Sequence, residues 1–286
     1  FPLRGLRWRR MLENAGAAGP HLPSVFGLAE IIFVSFFVNC LVPAKLGDVY
    51  RAYLLKLHSG ISGTRAAGTV VAERLLDIST LLLLGGLAAL FSLRGHPDEQ
   101  VAPYMAPLEI LSGVVVAAAL GLLAMRQWSA RFRLFVPTRF RSLYDKFSEG
   151  AVGAFGSYHI LVPLTIGAWA TEAARLFLVL RAVGVSLSPN PLAEVALVTV
   201  VALLGSLLTA LPLTPAGLGF VETGLVGALL TGLSAHTLSG AALLLTIGLT
   251  AVIFIEGMVV RAVLLAIAVA VTVHVTLLRP KERGEI

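Results

Sequence analysis

The chain has 286 residues, a net charge of +6 and a mean hydropathy of +0.88; 57% of its residues are hydrophobic and only 13% are charged. A soluble domain carries about 25% charged residues, so this composition excludes an ordinary soluble enzyme. We expect one integral membrane domain, 1–286, that is all-α and crosses the cell membrane several times. Basic residues beside apolar spans follow the positive-inside rule, which favours a membrane protein over a nucleic-acid-binding one.

The N-terminal part predicts a surface segment followed by an apolar helix. Segment 1–21 has four arginines in its first ten residues and then becomes rich in Ala, Gly and Pro. We expect it to lie on the cytoplasmic surface. Segment 24–42 is apolar enough to enter the membrane, although it contains Glu30 and Asn39.

A break at Pro43 and Gly47 separates this helix from an amphipathic one, 45–58. Asp48 lies in the first turn after the break, where a carboxylate stabilises free backbone N–H groups and the helix dipole. That local role is as plausible as contact with a substrate. The basic side chains Lys45 and Arg51 are candidates to bind a lipid headgroup, and ordinary positive-inside placement explains them equally well.

A long helix is predicted over 65–93. Glu73 and Asp77 are four residues apart and share one face, and Arg74 is three residues before Asp77 and can pair with it. A charge at membrane depth costs roughly 2.5–3.5 kcal/mol even on the lenient insertion scale, so these groups indicate a polar cavity. In that interpretation Arg74 is free to bind a phosphate; the alternative is a purely structural charge pair near the interface.

The middle of the chain predicts a span and a surface connector. Segment 105–125 is apolar, and 126–146 alternates basic and aromatic residues. We expect 126–146 to lie on the cytoplasmic leaflet and to bind anionic lipid, at about 1 kcal/mol per basic residue. We divide the domain into a first half, 1–125, a basic connector, 126–159, and a second half, 160–286.

The second half predicts another span, 160–183, in which Glu172 and Arg175 can neutralise each other or line a cavity. Segment 191–211 is apolar and is broken by 212–219. The remaining apolar stretch, 238–278, is expected to cross once, which leaves the basic C-terminus in the cytoplasm.

Charge placement requires two hairpins that do not cross the membrane, 24–58 from the inside and 191–233 from the outside. The pentapeptides 43–47 (Pro-Ala-Lys-Leu-Gly) and 215–219 (Pro-Ala-Gly-Leu-Gly) differ at one position, and an acid follows each break. Interrupted apolar segments in two inverted halves point to a transporter's binding site. We therefore predict two Gly/Pro-broken re-entrant hairpins in an inverted repeat; the alternative is a chance match of common residues.

Two motifs resemble a known family. The first joins Asn39, Pro43, Gly47-Asp48 and Arg51 to Glu73-Arg74 and Asp77, and the second joins Pro212, Thr214 to Gly219 and Glu222. They resemble the transmembrane region of lysylphosphatidylglycerol synthases and its stand-alone flippase-like relatives, over about residues 6–279. Family members usually have further membrane sequence ahead of the piece that resembles the start of this chain, so we expect this sequence to lack one or two N-terminal helices that they have.

The resemblance implies lipid translocation rather than synthesis, because the family's synthase activity belongs to a separate cytosolic domain that no stretch here resembles. We expect no catalysis, no cofactor and no metal, since zinc-protease, hydrolase and ATP-binding motifs are absent from the sequence. The expected partners are membrane lipids with anionic headgroups, and a homo-oligomer or a partner enzyme is possible. The candidate lipid-binding residues are Asn39, Lys45, Gly47, Asp48, Arg51, Glu73, Arg74, Asp77, Glu172, Arg175, Pro215, Gly217, Gly219 and Glu222.

Two other functions remain open at this point. The chain can instead be a non-transporting membrane partner of a lipid-modifying or glycosyl-transferring enzyme. A membrane enzyme that uses Glu73 and Asp77 as acid and base is the weaker alternative.

Overall fold

The computed structural model describes residues 1–17, 19, 21–41, 46–92, 98–182, 190–192, 194–196, 198–199, 202–203 and 266–267. Every main regular element in these ranges is a helix, which confirms the all-α prediction for them. The helices are α1 (Pro2–Asn14), α2 (Val25–Leu41), α3 (Leu46–Ser59), α4 (Gly63–Ser92), α5 (Asp98–Phe135), α6 (Arg141–Gly153) and α7 (Tyr158–Ala182), with short 3₁₀ turns at Thr138–Phe140 and Ala154–Ser157.

Helix α1 is part of the core, so the prediction of a surface segment at the N-terminus is wrong for it. Trp8, Met11 and Leu12 are fully buried, and their three- and four-residue spacing places them on one face. Gly5 of α1 lies against the start of α2, where an added Cβ would be 2.5 Å from the Val25 carbonyl oxygen. The arginines that indicated a surface segment therefore flank a buried apolar face.

Helices α2 and α3 form an antiparallel pair. The start of α3 lies against the end of α2, and Gly27 of α2 lines the same small pocket as His58 near the end of α3. Leu28 and Ile32 pack with α3 in one buried cluster. At 1.5 Å per residue the helices are about 26 Å and 21 Å long, shorter than the roughly 30 Å hydrocarbon core.

A close backbone approach joins this pair at Gly47. A Cβ at Gly47 would lie 2.0 Å from the Ser35 carbonyl oxygen, and the Gly47 N–H donates to Asn39 Oδ1 at 2.8 Å. Asn39 thus satisfies a backbone donor in the first turn of α3, as a capping side chain does. Gly47 cannot accept a side chain here, because a Cβ would collide with the backbone of α2.

Helix α4 packs against α3, α5, α6 and α7. Two glycines lie at its crossing with α6. A Cβ on Gly68 would lie 2.4 Å from the Phe147 carbonyl oxygen, and one on Gly150 would lie 2.1 Å from the Arg65 carbonyl oxygen. Arg65 and Glu149 form an ion pair beside this crossing. Only residues without side chains let two helix backbones come so close.

Among the described residues, one helical run, Thr138–Ala182, is long and apolar enough to cross a membrane by length and composition. Helix α4 begins within two residues of the predicted 65–93 helix and ends one residue before it, and α7 matches 160–183 within two residues. The second predicted hairpin and the final apolar stretch, 191–233 and 238–278, lie almost wholly outside the described ranges.

Candidate functional site

The candidate site is a buried arginine cluster around Glu73 on α4. Arg7 of α1 donates from Nη2 to Glu73 Oε1 at 2.7 Å, and Arg51 of α3 donates from Nη2 to Glu73 Oε2 at 2.5 Å. Both guanidinium groups are 0% exposed and Glu73 is 1% exposed. One carboxylate therefore holds two helices to α4, with each oxygen bound to a different arginine.

Arg7 also binds the next acid along the α4 face. Its Nη1 donates to Asp77 Oδ1 at 2.6 Å, and its Nη2 donates to Asp77 Oδ2 at 3.1 Å. Thr165 of α7 accepts a further bond from Arg7 Nη1 at 3.1 Å. Arg7 thus connects α1, α4 and α7, and the predicted Glu73–Asp77 polar face is confirmed as one surface.

An aromatic ring covers the other side of the cluster. The Arg51 guanidinium lies 4.4 Å from the centre of the Trp8 ring, a distance typical of a cation–π contact. Trp8 Nε1 donates to Thr69 Oγ1 at 3.0 Å, so the indole is fixed to α4. Thr69 and Thr80, also on α4, are both buried.

Arg74 lies at the edge of the cluster and is paired. Its Nε donates to Asp48 Oδ2 at 3.0 Å and its Nη2 to Asp48 Oδ1 at 3.3 Å, and Asp77 is 3.6 Å away. Of the two alternatives considered from the sequence, the charge pair is the one observed for Arg74. The Arg74 side chain is 31% exposed, in contrast to Arg7 and Arg51, so the Arg74–Asp48 pair is the accessible part of the cluster.

The charges in this cluster balance, but several donors are left over. Arg7, Arg51 and Arg74 face three carboxylates, and in the part of the chain that the structure describes Arg7 Nε and Arg51 Nε and Nη1 are buried without a hydrogen-bond partner. Buried donors normally find an acceptor. Planar guanidinium groups bind phosphate and carboxylate oxygens in paired geometry, so an oxyanion is the ligand class that suits these atoms.

A fourth arginine adjoins the cluster from α1. Arg4 stacks 5.4 Å from the centre of the Trp169 ring and 5.6 Å from that of Phe36. It adds a positive charge beside a cluster that is otherwise balanced. The surplus charge favours an anion over a cation, and no cluster of metal-binding side chains is found among the described residues.

Glu172 and Arg175 lie on a more exposed face of α7. Arg175 Nη2 donates to Glu172 Oε1 at 2.7 Å, and their side chains are 45% and 32% exposed for Arg175 and Glu172 respectively. Mutual neutralisation, one of the two predicted roles, is thus observed. The structure brings Glu73 and Asp77 together, and Glu172 lies near enough to Arg4 of α1 to interact with it electrostatically.

The other predicted site residues divide into two groups. Asn39, Gly47, Asp48 and Arg51 are described and lie at or beside the cluster. The rest lie outside the described residues: Lys45, Pro215, Gly217, Gly219 and Glu222.

Sequence reasoning missed Arg7, Trp8 and Thr165. A usable signal existed for the first two, because Trp8, Met11 and Leu12 follow helical spacing and Arg7 adjoins that face. The sequence contains no comparable signal for Thr165, which lies 158 residues from Arg7 and meets it only through the packing of α7.

A family model described as "Lysylphosphatidylglycerol synthase TM region" matches residues 1–257. The chain is 29% identical to a UPF0104 membrane protein of Methanocaldococcus jannaschii over 192 residues, 66% of this chain and 77% of that protein. It is 25% identical to a UPF0104 membrane protein of Methanothermobacter thermautotrophicus over 249 residues, 78% of this chain and 68% of that protein.

A third relative has a different name. The chain is 28% identical to glycosyltransferase AglD of Haloferax volcanii over 258 residues, which is 78% of this chain but only 40% of that protein. No solved structure matches the chain.

Proposed function

Because the chain belongs to the lysylphosphatidylglycerol synthase TM region family, we propose that it translocates a phospholipid, with or without an attached amino acid, or a polyprenol-linked lipid between membrane leaflets. The observation that supports this most is the buried arginine cluster around Glu73. In this proposal the chain is a multi-pass protein of the cell membrane with a cytoplasmic C-terminus, and it makes or breaks no covalent bond.

The physical argument starts from the cost of charge. A phosphate headgroup crossing the hydrocarbon layer needs a polar path, for the same reason that a bare side-chain charge at that depth is unfavourable. Arg7 and Arg51 provide cationic donors inside the bundle, and Glu73 and Asp77 together neutralise them while no headgroup is bound. The protein can therefore hold these charges without leaving them uncompensated.

In the proposed transport step, Arg51 exchanges its carboxylate partner for the phosphate of the lipid headgroup. Glu73 binds two arginines, and Arg7 has a second acid in Asp77. A headgroup phosphate takes the place of Glu73 at Arg51, while Glu73 and Asp77 continue to neutralise Arg7. This exchange loosens the contact of α3 with α4, and the positive charge of Arg4 beside the cluster offsets the negative charge that the phosphate adds.

The α2–α3 pair is proposed to be a re-entrant hairpin. Both helices are shorter than the hydrocarbon core, and they pack antiparallel, so their outer ends lie on one side. Non-helical backbone at membrane depth is tolerated where it lines a cavity, and an inverted partner in the second half completes the proposed transport site.

The test is lipid movement in proteoliposomes that contain a fluorescent phospholipid and are exposed to an external quencher. Wild-type protein is expected to bring inner-leaflet label to the outside, and Arg51→Gln to abolish this. Arg10→Gln, which changes an exposed arginine of α1, serves as the control. Arg51→Lys keeps the positive charge but loses the planar guanidinium group. If this variant folds normally and moves lipid only partly, its defect lies in headgroup binding and not in protein stability. Absence of movement by the wild-type protein would overturn the proposal.

The similarity to AglD favours a second candidate, a non-transporting membrane partner of a glycosyl-transferring enzyme. The same vesicles distinguish the two functions. Stable association with such an enzyme, together with no lipid movement, would favour this candidate.

A further inference from the structure

A second surface, distant in the chain from the arginine cluster, lies where α5 meets α6. It comprises residues 126–146, and its exposed apolar and basic side chains form one corner of the molecule. Six residues in this segment are basic and one, Asp145, is acidic, so its net charge is +5. We propose that this corner is a docking surface for the anionic phospholipid headgroups of the adjoining leaflet.

The backbone of the corner has a defined geometry, with a kink, a turn and an ion pair that joins its two sides. Helix α5 is kinked at Trp128, which has φ −119° and ψ 26°, just after the apolar part of the helix ends. The chain then turns at Pro137 into a short 3₁₀ helix and α6. The Arg133–Asp145 ion pair at 3.1 Å connects the end of α5 to α6, so the two sides of the corner are held together.

The apolar side chains point outward. Phe135 is 86% exposed, Leu134 is 74% exposed and Trp128 is half exposed. Such a large apolar patch on a protein surface marks an interaction site. Aromatic residues follow Arg126, where the apolar part of α5 ends. In membrane proteins, aromatic side chains are enriched at such a boundary between hydrocarbon and water.

Charge identifies the occupant. The single acid of the corner is already bound to Arg133, which leaves five cations to attract anions: Arg126, Arg131, Arg139, Arg141 and Lys146. Arg139 lies over the Phe140 ring at 4.6 Å, so a cation and an apolar ring are presented together. An anionic leaflet offers phosphates at the depth of the arginines and acyl chains at the depth of the rings.

The proposal does not depend on lipid translocation. The corner continues into α6, which crosses α4 at Gly68 and Gly150, and Gly68 is five residues before Glu73, more than one helical turn away. Lipid bound at the corner therefore contacts the helix that packs on α4 rather than the arginine cluster itself. A protein that translocates nothing would still show this binding.

Trp128 provides the readout, because Trp8 and Trp169 are buried. The full chain is reconstituted in phosphatidylcholine vesicles with either brominated phosphatidylglycerol or brominated phosphatidylcholine as quencher, and the Trp128→Phe variant gives the background. Brominated phosphatidylglycerol is expected to quench Trp128 more strongly. The double variant Arg131→Gln/Arg139→Gln should lower this preference on the order of tenfold, and Lys56→Gln on α3 should leave it unchanged.

Equal quenching by the two brominated lipids, or a preference that survives loss of both arginines, would overturn the proposal. Quenching of Trp128 by a water-soluble quencher, with none by either brominated lipid, would also overturn it. Added salt should weaken the preference in the wild-type protein, since exposed charges are screened within about 10 Å at 0.1 M salt.

Discussion

Arg7 and Glu73 are 66 positions apart in the chain, and their side chains form a fully buried ion pair of 2.7 Å. Glu73 simultaneously binds Arg51, so a single carboxylate joins α1 and α3 to α4. Replacing one member of a buried pair leaves its partners charged and uncompensated, which is more destabilising than losing an exposed pair.

We expect Glu73→Gln to lower the free energy of unfolding by about 3–5 kcal/mol, measured by chemical unfolding in detergent micelles. Glu149→Gln is the matched control, because it removes an acid from the more exposed Arg65–Glu149 pair and should cost less than about 1 kcal/mol. Equal stability of the two variants would show that the buried cluster does not hold the helices together.

The Gly47 contact gives a prediction that involves no charge. Gly47→Ala places a Cβ 2.0 Å from the Ser35 carbonyl oxygen, so α2 and α3 must move apart, at a cost of about 1–3 kcal/mol. Gly121→Ala on α5 is the control, because its Cβ meets nothing within 4 Å; there we expect no loss and a gain of up to about 1 kcal/mol. Thermal unfolding in detergent measures both. Unchanged stability of Gly47→Ala would mean that the close approach is absent from the protein in solution.

The local parts of this structure could be predicted from the sequence, and the long-range parts could not. Helical spacing and apolar length defined α4 and α7 closely, because those signals lie within one segment. The i,i+4 relation of Glu73 and Asp77 likewise placed both on one face. Which arginine meets them depends on how α1 packs, and no local pattern encodes a contact across 70 positions.

Composition was also misleading at the N-terminus. Four arginines in ten residues are typical of a cytoplasmic surface segment, yet Arg7 is fully buried among acids from another helix. A buried charge is tolerated when it is paired, so charge density alone does not determine exposure. For Arg74 the sequence indicated a pair with Asp77 three residues away, but not the pair with Asp48, which is 26 positions away on another helix.

Arg74 provides a prediction that depends on the proposed function. We expect Arg74→Ala to abolish lipid movement while the protein still folds, because the Arg74–Asp48 pair is partly exposed and contributes little to stability. The exchange Asp48→Arg/Arg74→Asp restores the pair and should recover movement if the pair acts as a gate. Fluorescent-lipid exposure in proteoliposomes measures movement, and unfolding in detergent confirms the fold. Normal transport by Arg74→Ala would show that Arg74 has only a structural role.

The final prediction concerns the depth and direction of the α2–α3 pair. Its outer ends, near Ser24 and Ser59, should lie on the same side of the membrane, since the helices are antiparallel and about 26 Å and 21 Å long. We expect single cysteines at these two positions, in a Cys40→Ser background, to react with a membrane-impermeant reagent only from the cytoplasmic side. The exposed position Ser142 on α6 is the reference for that side. Reaction of Ser24→Cys and Ser59→Cys from opposite sides would mean that one of the two helices crosses the bilayer, and the proposed hairpin would be wrong.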